Sequence, residues 1–121
     1  MAKTILVVDD STSLRSVVKM ALSGAGYTVI EAGDGKAALA LLDGRQVNMT
    51  ICDVNMPNMN GIEFVKAAKQ LAAYKFMPIL MLTTETTEEK KELGKAAGAR
   101  AWMVKPFSPT QLVSAVNKLC V

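Results

Sequence analysis

Ile5-Leu6-Val7-Val8-Asp9-Asp10 is an apolar run that stops abruptly on two carboxylates, and the same design returns twice further on. Thr50-Ile51-Cys52 runs into Asp53, and Ala101-Trp102-Met103-Val104 runs into Lys105-Pro106. Short apolar runs rich in β-branched residues, separated by helical patterns, read as buried strands of a parallel sheet. Parallel strands point one way, so the residues just past their carboxyl ends gather at one edge. That edge is where open α/β sheets bind ligands. Three carboxylates and one ammonium, far apart in sequence, are therefore predicted to share a pocket.

The rest of the chain fills in around these runs. Residues 4–8 form the first strand, and Leu14, Val17, Val18, Ala21 and Leu22 follow at the spacing of an amphipathic helix. Ser11 and Ser13 are both able to cap its start, and Gly24 or Gly26 to end it. Tyr27-Thr28-Val29-Ile30 reads as the second strand, and Gly33-Asp34-Gly35 turns into a helix carrying Ala38, Leu41 and Leu42. Residues 48–53 are the third strand, followed by the loop Asn55-Met56-Pro57-Asn58-Met59-Asn60-Gly61. A third helix points Ile62, Val65, Ala68 and Leu71 inward. Pro78 sits at the tolerated first position of the fourth strand, residues 78–82, which ends in Thr83-Thr84-Glu85-Thr86-Thr87.

The helix over 88–97 is unusual. Its apolar residues are only Leu93, Ala96 and Ala97, Gly94 weakens its interior, and it should be the most loosely packed helix. Strand five is 101–104, and the last helix, from Pro109, carries Leu112, Val113, Val116 and Leu119. Five strand–helix repeats with right-handed crossovers predict an α/β fold, a doubly wound five-stranded parallel sheet with helices on both faces.

Composition narrows the function. A chain of 121 residues, half of them hydrophobic, is expected to be one globular domain spanning 1–121. A formal charge of +3 carried by scattered basic residues gives nucleic-acid binding little support. With no histidine, His-based catalysis is excluded. Cys52 and Cys120 lack partners at metal-ligand spacing, and two free thiols in apolar patterns suggest a reducing cytosol. No run is long enough to span a membrane or form a signal-peptide core, so the expectation is a soluble cytoplasmic monomer.

Asp9 and Asp10 admit a plain reading as a helix cap plus a dipole-friendly acid. That accounts for one aspartate, not two. Three converging carboxylates repel one another unless a cation sits among them, and a few carboxylates completed by water and phosphate are how Mg²⁺ is usually held. A metal beside Asp53 suggests phosphoryl transfer, since carboxylates accept phosphoryl groups. Such transfer needs positioning and neutralisation of phosphoryl charge. Lys105 can supply a second positive charge and Thr83 a hydroxyl. Each has an ordinary reading too, as a surface lysine and a helix cap, but the set is poorly explained that way. The Lys105-Pro106 bond marks either a turn or a cis peptide, and the residues alone leave both open.

Asp9-Asp10, Asp53 with the loop to Gly61, Thr83 and Lys105-Pro106-Phe107 together resemble the receiver domain of two-component response regulators, along the whole chain. The Asp-x-Asn-Met-Pro-x-Met-x-Gly loop, Glu85 and an aromatic residue at 102 resemble the chemotaxis branch in particular. The resemblance implies a flavodoxin-like, CheY-like fold with strand order 2-1-3-4-5 and no output domain. It implies Asp53 as phosphoacceptor from a phosphohistidine on a sensor histidine kinase (CheA-like). It also implies Mg²⁺ held by Asp9, Asp10, Asp53 and the backbone carbonyl of Asn55, with Lys105 on the phosphoryl group. Thr83 and Trp102 become the switch pair, the helix at 88–97, strand 101–104 and the last helix the output face, and the Lys105-Pro106 bond cis. The partner implied is a flagellar motor switch protein (FliM-like), with a phosphatase as a further candidate, and the role is that of a signalling switch rather than an enzyme.

Three positions depart from the family's familiar chemotaxis pattern: Trp102 replaces a tyrosine, Thr84 an alanine and Val54 a tryptophan. A phosphorelay intermediate or a phosphate sink that does not bind the motor is the alternative within the class. An aspartyl-nucleophile phosphohydrolase would want a second aspartate two residues after the first, where Asn55 stands. A flavodoxin-like cofactor binder would want a phosphate-cradling loop where Asp9-Asp10 stand, and ranks last.

Overall fold

Strands whose residues are apolar on both faces must be covered on both, and that requirement organises the molecule. The computed structural model describes residues 2–120. Five strands, β1 (Thr4–Val8), β2 (Thr28–Ala32), β3 (Met49–Cys52), β4 (Ile79–Thr83) and β5 (Ala101–Val104), pair in parallel in the order β2-β1-β3-β4-β5. Five helices alternate with them: α1 (Thr12–Gly24), α2 (Gly35–Leu41), α3 (Gly61–Lys69), α4 (Glu88–Ala97) and α5 (Pro109–Leu119). This is the expected doubly wound α/β sheet in the expected order.

Alternation along each strand sorts the core into two layers. Leu6, Val8, Ile79 and Met81 face Ala38, Phe64, Val65 and Ala68 of α2 and α3. Ile5, Val7, Leu80 and Leu82 face Val18, Leu22, Leu112 and Val116 of α1 and α5. Strands β3 and β4 are buried along their whole length, whereas β5, at the edge, is only half-buried.

Local chemistry sets the helix starts. Ser11 rather than Ser13 caps α1, accepting from the Leu14 amide, and Asn60 and Glu63 form a reciprocal capping box on α3. Thr87 caps α4, Ser108 caps α5, and Gly98 ends α4 in the left-handed conformation that its missing side chain permits.

Four expectations are corrected. β2 runs to Ala32, two residues beyond Ile30, because its pairing with β1 continues to Val8↔Ala32. β3 is two residues shorter than 48–53, since the Asn48 side chain accepts from the Thr4 amide and leaves the strand pattern. Leu71 lies past the end of α3, before a 3-10 turn at Ala72–Tyr74, instead of on its inward face. Val17 is 47% exposed, so the buried stripe of α1 is Val18 and Leu22 alone. Of α4 only Gly94 is buried, and Leu93 is 43% exposed, in keeping with a loosely packed helix.

Candidate functional site

Strand register brings the charged residues together. Val8 is opposite both Ala32 and Cys52, and Thr83 is opposite Val104, so Asp9, Asp53 and Lys105 each stand one step beyond paired residues. The ladder carries on through them: the Asp9 amide donates to Ala32 (3.1 Å), Asp53 to Val8 (3.0 Å) and Lys105 to Thr83 (2.9 Å). The backbone at all three positions is thereby fixed by the sheet, and their side chains project from one edge.

There the Lys105 ammonium donates to Asp9 Oδ2 at 2.8 Å and to Asp53 Oδ2 at 3.1 Å. Burial disfavours its charge, but the two carboxylates outweigh that and hold its pKa above the ordinary lysine value. Asp9 moves the other way for an acid. Burial raises its pKa, the Lys105 and Ser11 hydrogen bonds only partly offset this, and the neighbouring Asp53 charge adds to the rise. The peptide bond to Pro106 is cis.

A carboxylate oxygen from each of Asp9, Asp10 and Asp53 lies within 4.8 Å of the other two, with Asp9 and Asp53 buried and Asp10 exposed. Three hard oxygen donors from two neighbouring strand ends, β1 and β3, open to solvent on the Asp10 side, fit a small divalent cation that keeps several waters. The Asn55 amide donates to Asp53 Oδ1 at 3.3 Å, which brings the β3–α3 loop against the acid. That loop closes tightly: the Gly61 amide donates to Val54 at 2.8 Å, and a Cβ at Gly61 would come within 2.0 Å of the Asp53 carbonyl.

Thr83 is fully buried, and its hydroxyl accepts from the Glu85 amide at 3.2 Å rather than bonding to the acids. Trp102 is half-buried, and its indole N–H donates to the Glu85 carbonyl at 3.0 Å. Both switch candidates therefore hold the same residue of the β4–α4 loop. The six-membered ring of Trp102 rests on Gly94, where a Cβ would stand 2.8 Å from Cζ3. Thr84 and Lys105 line a shallow apolar groove together with Leu14, Val17, Phe107 and Pro109. Val54 is buried. Cys52 is fully enclosed, and burial above all, with the Asp53 and Asp9 charges, pushes its thiol far up, so it stays protonated.

Two contributors escape a reading of motifs. Arg15 donates to the Asp9 carbonyl through Nη1 and to Glu31 Oε1 through Nε (3.1 Å), tying the ends of β1 and β2. Its only sequence signal is a position one turn into the helix after Asp9. Asp34 caps α2 and also accepts from Asn58 of the β3–α3 loop, a pairing with no sequence signal at all.

Comparison with known proteins finds relatives along nearly the whole chain. The family described as the response regulator receiver domain matches residues 5–117. The chemotaxis protein CheY1 of Helicobacter pylori is 40% identical over 110 residues, covering 89% of each chain. The solved structure of Vibrio cholerae chemotaxis protein CheY4 superposes with a TM-score of 0.94 at 50% identity, covering 98% of this chain and 99% of that one. The alkaline phosphatase synthesis transcriptional regulatory protein PhoP of Bacillus subtilis is 41% identical over 98% of this chain. This chain spans about half the length of that regulator, 49%.

Proposed function

The chain belongs to the response regulator receiver domain family, and from that premise we propose that it is a phosphorylation-driven signalling switch with Asp53 as phosphoacceptor. The observation that carries the reading is the Lys105 ammonium spanning Asp9 and Asp53 at the edge of a three-carboxylate cluster. Asp53 Oδ attacks phosphorus of a phosphohistidine on a sensor kinase. A P–O bond forms, the P–N bond breaks, and the imidazole nitrogen leaves with the electron pair and takes up a proton. Lys105 is already beside Asp53 and can follow the new phosphoryl oxygens, which bear roughly two negative charges. Mg²⁺ is the cation proposed for Asp9, Asp10, Asp53 and the Asn55 carbonyl, and when bound it supplies further positive charge to those oxygens.

The readout is proposed to run through Thr83 and Trp102. Drawing the Thr83 hydroxyl toward the phosphoryl group takes it from the Glu85 amide, and Glu85 is also the residue that Trp102 holds. A bistable β4–α4 segment biased by one new charge is the usual form of such a switch. The aromatic residue, α4, β5 and α5 then present a changed face to a partner.

The chemotaxis relatives favour a flagellar motor switch protein as that partner, and a cytoplasmic setting goes with it. The transcriptional regulators among the relatives favour a second reading, in which the same switch serves a different output or a phosphorelay.

Trp102 is the sole tryptophan, so its fluorescence tests the switch. Emission is expected to change with millimolar Mg²⁺ and a fluoride-based phosphoryl mimic, and Asp53→Asn to respond to neither the mimic nor a small phosphodonor. Mass spectrometry showing the phosphate on serine or threonine would end the proposal. Binding of a motor switch peptide with and without the mimic separates the two outputs.

A further inference from the structure

We propose that Asp34, acting through Asn58, is a positioning residue for the metal and phosphoryl site. The inference rests on the reading of that site as a cation-assisted phosphoacceptor.

Asn58 stands at the apex of the β3–α3 loop with φ +67°, the only non-glycine residue with positive φ among the described residues. Asparagine tolerates that conformation better than most, but it still needs support from its surroundings. The support comes from α2. The Asn58 side-chain amide donates to Asp34 Oδ2 at 2.9 Å, while Asp34 Oδ1 accepts from the Ala37 amide at 2.8 Å and caps the helix. One carboxylate thus serves two elements, one oxygen each.

A second contact docks the same apex. Met59 lies across Gly35 so closely that a Cβ there would be 2.8 Å from Met59 Cγ. At its other end the loop is stitched back on the strand by Gly61 N–H to the Val54 carbonyl, and Asn55 N–H reaches Asp53 Oδ1. The segment carrying Asn55 is therefore stretched between an anchor at the acid and an anchor at Asp34. Loosening the far anchor lets Asn55 drift, and its carbonyl is one of the proposed cation ligands. Partners that orient a ligand commonly matter about tenfold or more to metal affinity.

The two oxygens of Asp34 allow capping and clamping to be separated. Asp34→Ser keeps a cap acceptor but has no second oxygen for Asn58. Asp34→Asn removes the same charge, keeps the cap, and pairs with Asn58 once that amide turns over. Calorimetric Mg²⁺ titration of the whole chain is expected to show Asp34→Ser weaker by about tenfold and Asp34→Asn within about twofold of the parent. Circular dichroism melts should show both neutral variants fully folded at the titration temperature, with Asp34→Ser melting somewhat lower because it has lost the bond to Asn58. Equal affinity of Asp34→Ser and parent overturns the inference, as does Asp34→Asn binding as weakly as Asp34→Ser, which would make the effect one of charge. Absence of Mg²⁺ uptake by the parent itself is a different failure, that of the site reading.

Discussion

Gly94→Ala tests the contact between α4 and the candidate switch residue, and its sign depends on Trp102. In an exposed helix interior the change would stabilise by about 1 kcal/mol, because alanine loses less backbone entropy than glycine. Here the new methyl would sit 2.8 Å from Trp102 Cζ3 and 3.5 Å from Cε3, and it faces the ring rather than the tip of a flexible chain. The indole cannot retreat freely, because its N–H is engaged by the Glu85 carbonyl. Overpacking of this kind costs about 1–3 kcal/mol. The expected result in the parent is a loss of between about 0 and 2 kcal/mol. In a Trp102→Ala background the obstacle is gone, and the same substitution should gain about 1 kcal/mol. The difference, a coupling of about 1–3 kcal/mol, is readable from urea titrations followed by circular dichroism in all four proteins. A gain of the same size in both backgrounds would refute the argument that Trp102 occupies the space over Gly94.

Lys105→Met should destabilise the metal-free protein by about 1–3 kcal/mol, since Asp9 and Asp53 lose a shared donor and are left facing each other. Millimolar Mg²⁺ should restore most of that in a thermal melt, and a deficit that the cation leaves untouched counts against the cluster as its site. Asp9 predicts a pH trend in chelator-treated protein. The folded form holds the Asp9 proton more tightly than the unfolded chain, so its contribution to stability is fully present below the ordinary carboxylate pKa and is lost as pH rises through the raised folded value. Urea midpoints of the parent minus those of Asp9→Asn, taken from pH 4 upward, should therefore fall with pH (about one decade either side of a titration). A rising difference would contradict the assignment.

The parts of the molecule that follow from periodicity were legible in the sequence. Ile5 to Val8, Thr50 to Cys52 and Ala101 to Val104 are strands because their residues need cover on both sides, and the acids and amine beyond them meet because parallel strands share a direction. What escaped are features set by packing between distant elements. Val17 has the spacing of a core residue yet is 47% exposed, because α1 leans on the sheet through Leu14, Val18 and Leu22 instead. Gly94 reads as a weak point in a helix and is instead the place where an indole fits. The Asp34–Asn58 bond joins residues 24 apart that follow no motif, and the shared grip of Thr83 and Trp102 on Glu85 needs the loop conformation to be seen.

The two thiols make a pair of clocks. Cys52 lies at the centre of the sheet, fully enclosed, with its S–H directed at the Asp53 carbonyl, while Cys120 closes the last turn of α5 at 6% exposure. An alkylating reagent reaches the first only when the whole domain opens, and the second when one helix end frays. Mass-resolved pulse labelling of the unaltered protein would time both events in a single sample, with no dye or engineered site to disturb β3.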